Sequence, residues 1–168
     1  MSVLAIRRFP DPLLKHPTRP VARLDAAVGR LIHSLIKTMR RHPRCVGLAA
    51  PQIGSPLRVA VMDATGHPKA GSTPHGLLVL VNPHLTAAGE AVLSREGCLS
   101  VPDFTGNVRR ATRVCLKAQD QFGSAYEVWL EGFEAIVAQH EVDHLDGKLF
   151  LDRVANTQTD VFRRKTYL

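Results

Sequence analysis

The stretch Gln139 to Gly147, QHEVDHLDG, constrains this chain more than any other. It contains His140-Glu141-Val142-Asp143-His144, an H-E-x-x-H. The preceding turns are apolar and Gly132 stands where a helix would open. An α-helix turns once in 3.6 residues, so His140 and His144 project from one face, one turn apart. Two imidazoles at that spacing can grip one metal ion. Glu141, beside the first of them, can reach a water at the metal without being a ligand. The plain alternative is a surface helix that carries two histidines.

Two imidazoles leave a metal site incomplete, because a catalytic site takes three protein ligands and keeps a fourth position open. Two downstream solutions can be tested on the sequence. A third histidine at the end of HExxHxxGxxH would follow Gly147, but Phe150 stands at that position. A glutamate on a later helix is absent, since no Glu follows Glu141. Asp146, Asp152 and Asp160 have no supporting pattern. The third ligand is therefore expected upstream. Cys98, in SREGCLSVP, is the best candidate, because a thiolate completes a Cys-His-His set. A lone cysteine is more often a small buried hydrophobe.

At 168 residues the chain is expected to form one domain with a sizeable core. No apolar run approaches ~20 residues, so no membrane-spanning segment is expected. The start, MSVLAIRRFPDP, lacks the pattern of a secretory signal. Three cysteines, Cys45, Cys98 and Cys115, are too few and too scattered for a disulfide framework. That usage fits a cytoplasmic protein with free or metal-bound thiols. A net charge of +7 suggests an acidic partner, with ribosomal RNA one option and a merely solvated basic surface the other.

Along the chain, Val3 to Phe9 reads as a short strand or a docked arm, followed by an irregular proline-rich stretch. Asp25 is a plausible N-cap for a first helix. Val28, Leu31, Ile32, Leu35, Ile36 and Met39 form one apolar stripe on it, for packing. Arg40, Arg41 and Arg44 end it in a basic loop. CVGLAAPQIG (45–54) crowds small residues together; its one polar side chain, Gln52, is either a satisfied buried amide or a donor aimed into a cleft. Strands are expected at Leu57–Met62 and Leu77–Val81, around a surface loop from Asp63 to Gly76, with Asn82-Pro83 ending the second. Leu85–Leu93 reads as another strand, interrupted at Gly89. Val114, Leu116 and Ala118 alternate on a strand with Cys115 on its other face. A turn at Asp120–Gly123 then leads into a returning strand bearing Tyr126, Val128 and Leu130. The tail 155–168 is expected to form a short helix, with Asp160 early and Arg163, Arg164 and Lys165 late, as the helix dipole favours.

Three segments, CVGLAAPQIG, EGCLS and QHEVDHLDG, stand in this order with PDPLL, VNP and GKLFLDR between and around them. Together they resemble the peptide deformylases, metallohydrolases that remove the formyl group from N-formylmethionine of newly made polypeptides. The resemblance runs from the N-terminus through Arg153. It implies an α+β fold, with antiparallel β-sheets around a central metal-binding helix. It implies Cys98, His140 and His144 as metal ligands, Glu141 as general acid/base, and Gln52 with the backbone N–H of Leu99 as donors to the oxyanion. It implies one divalent ion per chain, Fe²⁺ in the cell, with Zn²⁺ or Ni²⁺ after purification. Its partners would be N-formylmethionyl peptides of nascent chains, with a transient ribosome or rRNA contact and neither membrane nor DNA. By the same analogy Glu96 pairs with Arg110 and braces the segment that carries Cys98.

Two positions depart from that family. Cys45 replaces a usual glycine, which bears on the fit of substrate. Arg95 replaces a usual acidic residue. For the methionine side chain, helix geometry points to Phe133, Ile136 and Val137, seven, four and three residues before His140, as one wall. Val46 would close the other side, and the peptide would run along the segment around Gly47 as an added β-strand. Core packing is the alternative role for these residues. The competing functions are an inactive deformylase-like protein that binds formyl peptides, an HExxH metalloprotease, and a structural metal module with four protein ligands.

Overall fold

The computed structural model describes residues 3–165. Its first helix, α1 (Ala26–Arg41), begins where expected: the Asp25 carboxylate accepts hydrogen bonds from the backbone N–H groups of Ala27 and Val28. The stripe Val28, Ile32, Leu35 and Met39 is buried. The arm before it is docked rather than paired as a strand. Leu4 N–H donates to Thr38 Oγ1, Arg7 N–H to the Gln52 carbonyl and Phe9 N–H to the Ser100 carbonyl.

Among the described residues six antiparallel strands follow: β1 (Gly47–Ala49), β2 (Val59–Met62), β3 (Leu78–Cys98), β4 (Val101–Gln119), β5 (Ala125–Glu131) and β6 (Val161–Arg163). They are hydrogen-bonded in the order β1-β2-β3-β4-β5, and β6 pairs with β4. A 3₁₀ turn, Ala50–Ile53, carries Gln52 directly after β1. The second helix, α2 (Gly132–Leu145), leaves the end of β5 without a linker.

The short strands sort their side chains by the period of two. In β2, Val59 and Val61 join the cluster of Val28, Ile32, Leu35 and Met39 from α1. Ala60 and Met62 face the other way, into the cluster of Ala135, Val137, Ala138 and Leu145 from α2. Both faces of this part of the sheet are therefore covered by helices, and β2 is a continuous apolar run. The expected alternation on β4 is also present, with Val114, Leu116 and Ala118 in the α2 cluster and Cys115 opposite Trp129. The turn to β5 is closed by Asp120, whose carboxylate accepts from the N–H groups of Phe122 and Ser124.

Two expectations need correction. Asn82-Pro83 does not end a strand, and Leu85–Leu93 is not separate from the segment of Cys98. Together they form the 21-residue β3, whose register against β4 shifts at Val81/His84, Ala88/Ala91 and Gly97/Cys98. Asn82 takes a left-handed backbone (φ 51°) at the first shift, and its side-chain amide bonds both N–H and C=O of Val21. The irregularity becomes a bulge that bends the strand without ending it. The tail is the second correction. Among the described residues it forms no helix. A turn closed by Asn156 and Asp160 leads into β6, which pairs Val161 with Gly106, Phe162 with Thr105 and Arg163 with Phe104. A helix of about a dozen residues is marginal by itself, whereas the free edge of β4 offers ladder bonds to an extended chain. Residues 166–168 of the expected helix lie outside the described range.

Candidate metal centre and its cavity

The site lies where three backbone segments converge. The last turn of β3 delivers Cys98, α2 delivers His140, Glu141 and His144, and the 3₁₀ turn after β1 delivers Gln52. Cys98 Sγ lies 3.2 Å from His144 Nε2, which lies 3.2 Å from His140 Nε2. All three donor atoms fall within 4.8 Å of one another. Metal–ligand bonds of 2.0–2.3 Å set tetrahedral ligand atoms about 3.5 Å apart, so the triangle fits a single ion. Of the later aspartates, Asp146 pairs with Arg58 and Asp152 with Lys15. Phe150, at the third-histidine position of the protease pattern, is buried with Leu14, Val108 and Leu149.

The chemistry of each donor is set by its neighbours. Burial raises the Cys98 thiol, but the His144 and His140 rings outweigh it and hold the thiol well below its ordinary value. The sulfur also receives the Ser100 N–H and the Gln52 Nε2 group, each at 3.4 Å. These donors favour the thiolate, the form that binds metal. His140 Nδ1 lies 2.8 Å from Glu96 Oε2, which leaves Nε2 to face the triangle. Burial pushes Glu96 up, and its bonds to Arg110 and His140 prevail, holding it at about 2.

Behind Glu96 runs a buried chain of charges. Arg110 donates to both Glu96 oxygens at 2.6 and 2.9 Å and to Asp143 Oδ2 at 2.6 Å. Asp143 also accepts from Arg153, at 2.6 and 3.1 Å. The Glu96–Arg110 pair was expected from the sequence. Asp143 and Arg153 were not, although Asp143 is the fourth residue of H-E-V-D-H and lies one helical position from a ligand. It extends the brace from β3 and β4 into α2.

Glu141 is the least satisfied group in the centre. Among the described residues, only its Oε2 and His144 Nδ1 are buried side-chain polar atoms without a hydrogen-bond partner. Burial raises the carboxyl to about 7, despite the opposing pull of His140 and His144. The carboxylate packs against Gly47: a Cβ there would stand 2.7 Å from Glu141 Cδ and 2.9 Å from Cγ. Only glycine leaves room for the acid. Gln52 is a buried amide that also faces the cleft. Its Oε1 accepts the Ala49 N–H at 2.9 Å, and its Nε2 points at Cys98 and at Ser100 Oγ, 3.2 Å away.

Gln52, Glu96, Cys98, His140 and Glu141 form the floor of a cavity of about 450 Å³. Val46, Gly47, Leu99, Phe133, Ile136 and Val137 all border it. Cys45 borders it too, with its thiol donating to the Gly47 carbonyl at 3.1 Å. Burial pushes that thiol up to about 12 and keeps it neutral. The loop from Asp63 to Gly76 turns out to be a wall as well as surface. His67 stacks on Phe133, with ring centroids 4.4 Å apart, and His75 bonds Glu134 at the start of α2. No periodicity marks His67 in a stretch punctuated by Gly and Pro, so the sequence held no sign of this role.

The centre can be set beside known proteins. Residues 3–160 match the family model described as polypeptide deformylase. The peptide deformylase of Thermodesulfovibrio yellowstonii is 37% identical over 165 residues, 98% of this chain and 97% of that protein. The crystal structure of peptide deformylase from Thermotoga maritima superposes with a TM-score of 0.83 at 36% identity, covering 93% of this chain and all of that one. A Met-Ala-Ser-bound peptide deformylase from Acinetobacter baumannii superposes with a TM-score of 0.85 at 34% identity, over 91% of this chain and 99% of its own. The agreement extends over more than nine-tenths of the chain rather than the metal-binding helix alone, and it makes this chain a member of the polypeptide deformylase family.

Proposed function

We propose that this protein is a metal-dependent hydrolase that removes the formyl group from the N-terminal formylmethionine of new polypeptides and releases formate. The observation that carries this reading is Glu141. It is a buried carboxylate with an unpartnered oxygen, beside a Cys-His-His triangle, at the floor of a cavity of about 450 Å³. Unsatisfied buried groups in native proteins gather where function requires them.

Cys98, His140 and His144 would hold the ion. A divalent metal there supplies Lewis acidity to the attacking water and to the formyl carbonyl. Glu141 takes a proton from that water and returns it to the departing amine. The Gln52 carboxamide and the Leu99 N–H serve as donors to the oxygen that becomes negative; both border the cavity next to Cys98. Losing one such donor typically costs about 10²–10³ in rate. Glu96 and Arg110 keep the His140 ring and the Cys98 segment in register.

Val46, Phe133, Ile136 and Val137 receive the methionine side chain. The peptide behind it lies along β1 at Gly47. Among the described residues β1 pairs only with β2, so its other edge is available to an added strand. Fe²⁺ is the ion in the cell, with Zn²⁺ or Ni²⁺ able to take its place, as a mixed sulfur and imidazole set allows. The three cysteines are free, which suits the reducing cytoplasm. Among the described residues no helix is long and apolar enough to cross a membrane. The charge of +7 supports transient contact with ribosomal RNA near the emerging chain.

The test is formate release from formyl-Met-Ala-Ser by protein whose metal content has been measured. Stoichiometric metal with turnover is the expected result. Binding of the peptide without formate would make the protein a formyl-peptide binder instead. Replacing Ile136 by Trp should lower kcat/KM for a formyl-Met peptide more than for a formyl-Ala peptide; an unchanged ratio would remove Ile136 from the pocket.

A further inference from the structure

The cavity has a floor and a mouth, and their charges are arranged differently. Five permanent cations line it: Arg44, Lys69, Arg95, Arg164 and Lys165. All are exposed. They come from four separate places in the chain: the loop after α1, the Asp63–Gly76 loop, β3, and the segment after β6. Among the described residues the only carboxylates lining the same cavity are Glu96 and Glu141, both buried at its floor, and Glu96 is already held by Arg110 and His140.

Among the described residues none of the five cations has an ion-pair partner. Elsewhere on the surface some exposed cations find carboxylates, as Lys15 does with Asp152, Arg113 with Glu131 and Lys117 with Glu127. Others, such as Arg23, Arg30 and Lys148, form no ion pair among the described residues; what sets the five apart is that they edge one cavity. Two rim cations are also positioned by neutral partners. Arg95 donates to Asn107 Oδ1 at 2.7 Å and stacks its guanidinium 3.6 Å from the Phe162 ring centroid. Arg164, whose backbone N–H donates to the Asp103 carbonyl, lays its guanidinium over Gly97; a Cβ there would stand 3.3 Å from Arg164 Cζ.

We propose that this mouth selects formylated peptides with acidic side chains at their second and third positions. The inference rests on the deformylase reading, which places the formyl carbon at the floor and sends the following residues out through the mouth. A cleft edged by one sign of charge focuses its field on the opposite charge. A formylated chain has no α-ammonium group to oppose that attraction, so among peptides of one length the second and third side chains set how the charge at the mouth differs.

The experiment compares formyl-Met-Asp-Glu, formyl-Met-Ala-Ser and formyl-Met-Lys-Lys on the metal-loaded protein at low and at high salt. At low salt kcat/KM is expected to fall in that order, with about tenfold between the first and last. Near 1 M salt, where the screening length is about 3 Å, the spread should close. In the double variant K69E/R164E the ratio of the acidic to the basic peptide should drop to one or below. Equal kcat/KM for all three peptides at low salt overturns the inference while leaving the deformylase reading intact. A ratio unchanged in the double variant overturns it too, and if that variant also loses retention on ribosomes the rim serves RNA. If no peptide yields formate, the deformylase reading fails by itself. The rim is then judged by the affinities of acetyl-Met-Asp-Glu and acetyl-Met-Lys-Lys, and equal affinities overturn it.

Discussion

Helices α1 and α2 are buried in opposite ways. Helix α1 is amphipathic: one apolar stripe enters the core, and the residues on its other side are exposed. Helix α2 buries Glu134, Glu141, Asp143 and His144 along with its alanines and valines. Burying a polar group without a partner costs about 1–3 kcal/mol, and more for a charge. Helix α2 meets that cost group by group. Glu134 accepts from His75, Asp143 from Arg110 and Arg153, and His140 is bonded to Glu96. Glu141 Oε2 and His144 Nδ1 are left out of this pattern, and of the two only Glu141 is a carboxylate. Stability in α1 therefore comes from apolar area, while α2 adds to its apolar contacts a polar lattice that is left open at Glu141 Oε2 and His144 Nδ1.

The sharpest way to break this contrast is to fill the gap. Glu141→Gln keeps the shape of the side chain and removes the charge. If Glu141 moves protons as proposed, turnover should fall by about 10²–10⁴ while the metal stays bound. The urea midpoint should hold or rise, because a partnerless buried carboxylate destabilises the fold it sits in. A variant that lost stability along with activity would show that the acid belongs to the lattice after all.

Breaking the lattice itself should do the reverse. Arg110→Met takes the shared guanidinium from two buried carboxylates in one step, leaving Glu96 with His140 and Asp143 with Arg153. Removing one partner of a buried pair typically costs about 3–5 kcal/mol, read here from equilibrium urea unfolding of the metal-loaded protein. Metal affinity should fall about 10–100-fold as His140 loses its brace. A loss of stability below about 1 kcal/mol would mean that water reaches these groups. In α1 the matching experiment is Leu35→Ala, at a site with no exposure. It should cost about 2–5 kcal/mol through lost burial and the cavity left behind, with kcat unchanged.

The same contrast explains what could be read from the sequence. Helix α1 was legible from periodicity and one cap, because apolar burial leaves a 3.6-residue signature. Helix α2 has no such signature, and only its metal-binding spacing announced it. The spacing suggested His140, Glu141 and His144, the need for a third ligand pointed upstream to Cys98, and the likeness of short motifs added a role for Gln52 and the Glu96–Arg110 pair. What stayed hidden depends on pairing between distant segments. Arg153 joins the lattice only because the chain after α2 returns past Asp143. His67 becomes a wall only because its loop folds back onto Phe133. The tail looked helical by its charges, yet the free edge of β4 decided its conformation. Local pattern is blind to an edge that forms elsewhere in the chain.

The smallest expected effect belongs to the start of α1. Asp25 caps the helix from an exposed position, and its carboxyl is held below its ordinary value of 3.8, chiefly by the Val28 N–H. Because the folded-state value is the lower one, the cap's contribution is fully present above about pH 5 and fades as pH falls through the lowered value. Asp25→Ala should therefore lower the unfolding midpoint at pH 7, by less than Leu35→Ala does, and leave turnover alone. In acid the two proteins should converge, since a protonated aspartic acid is a weaker acceptor for the Ala27 and Val28 N–H groups. The other carboxylates titrate in both proteins alike, so the difference between the two curves isolates the cap. A gap that stayed constant down to pH 2 would mean that Asp25 acts through the shape of the turn rather than through its charge, and that the first turn of α1 is set by the packing of Val28.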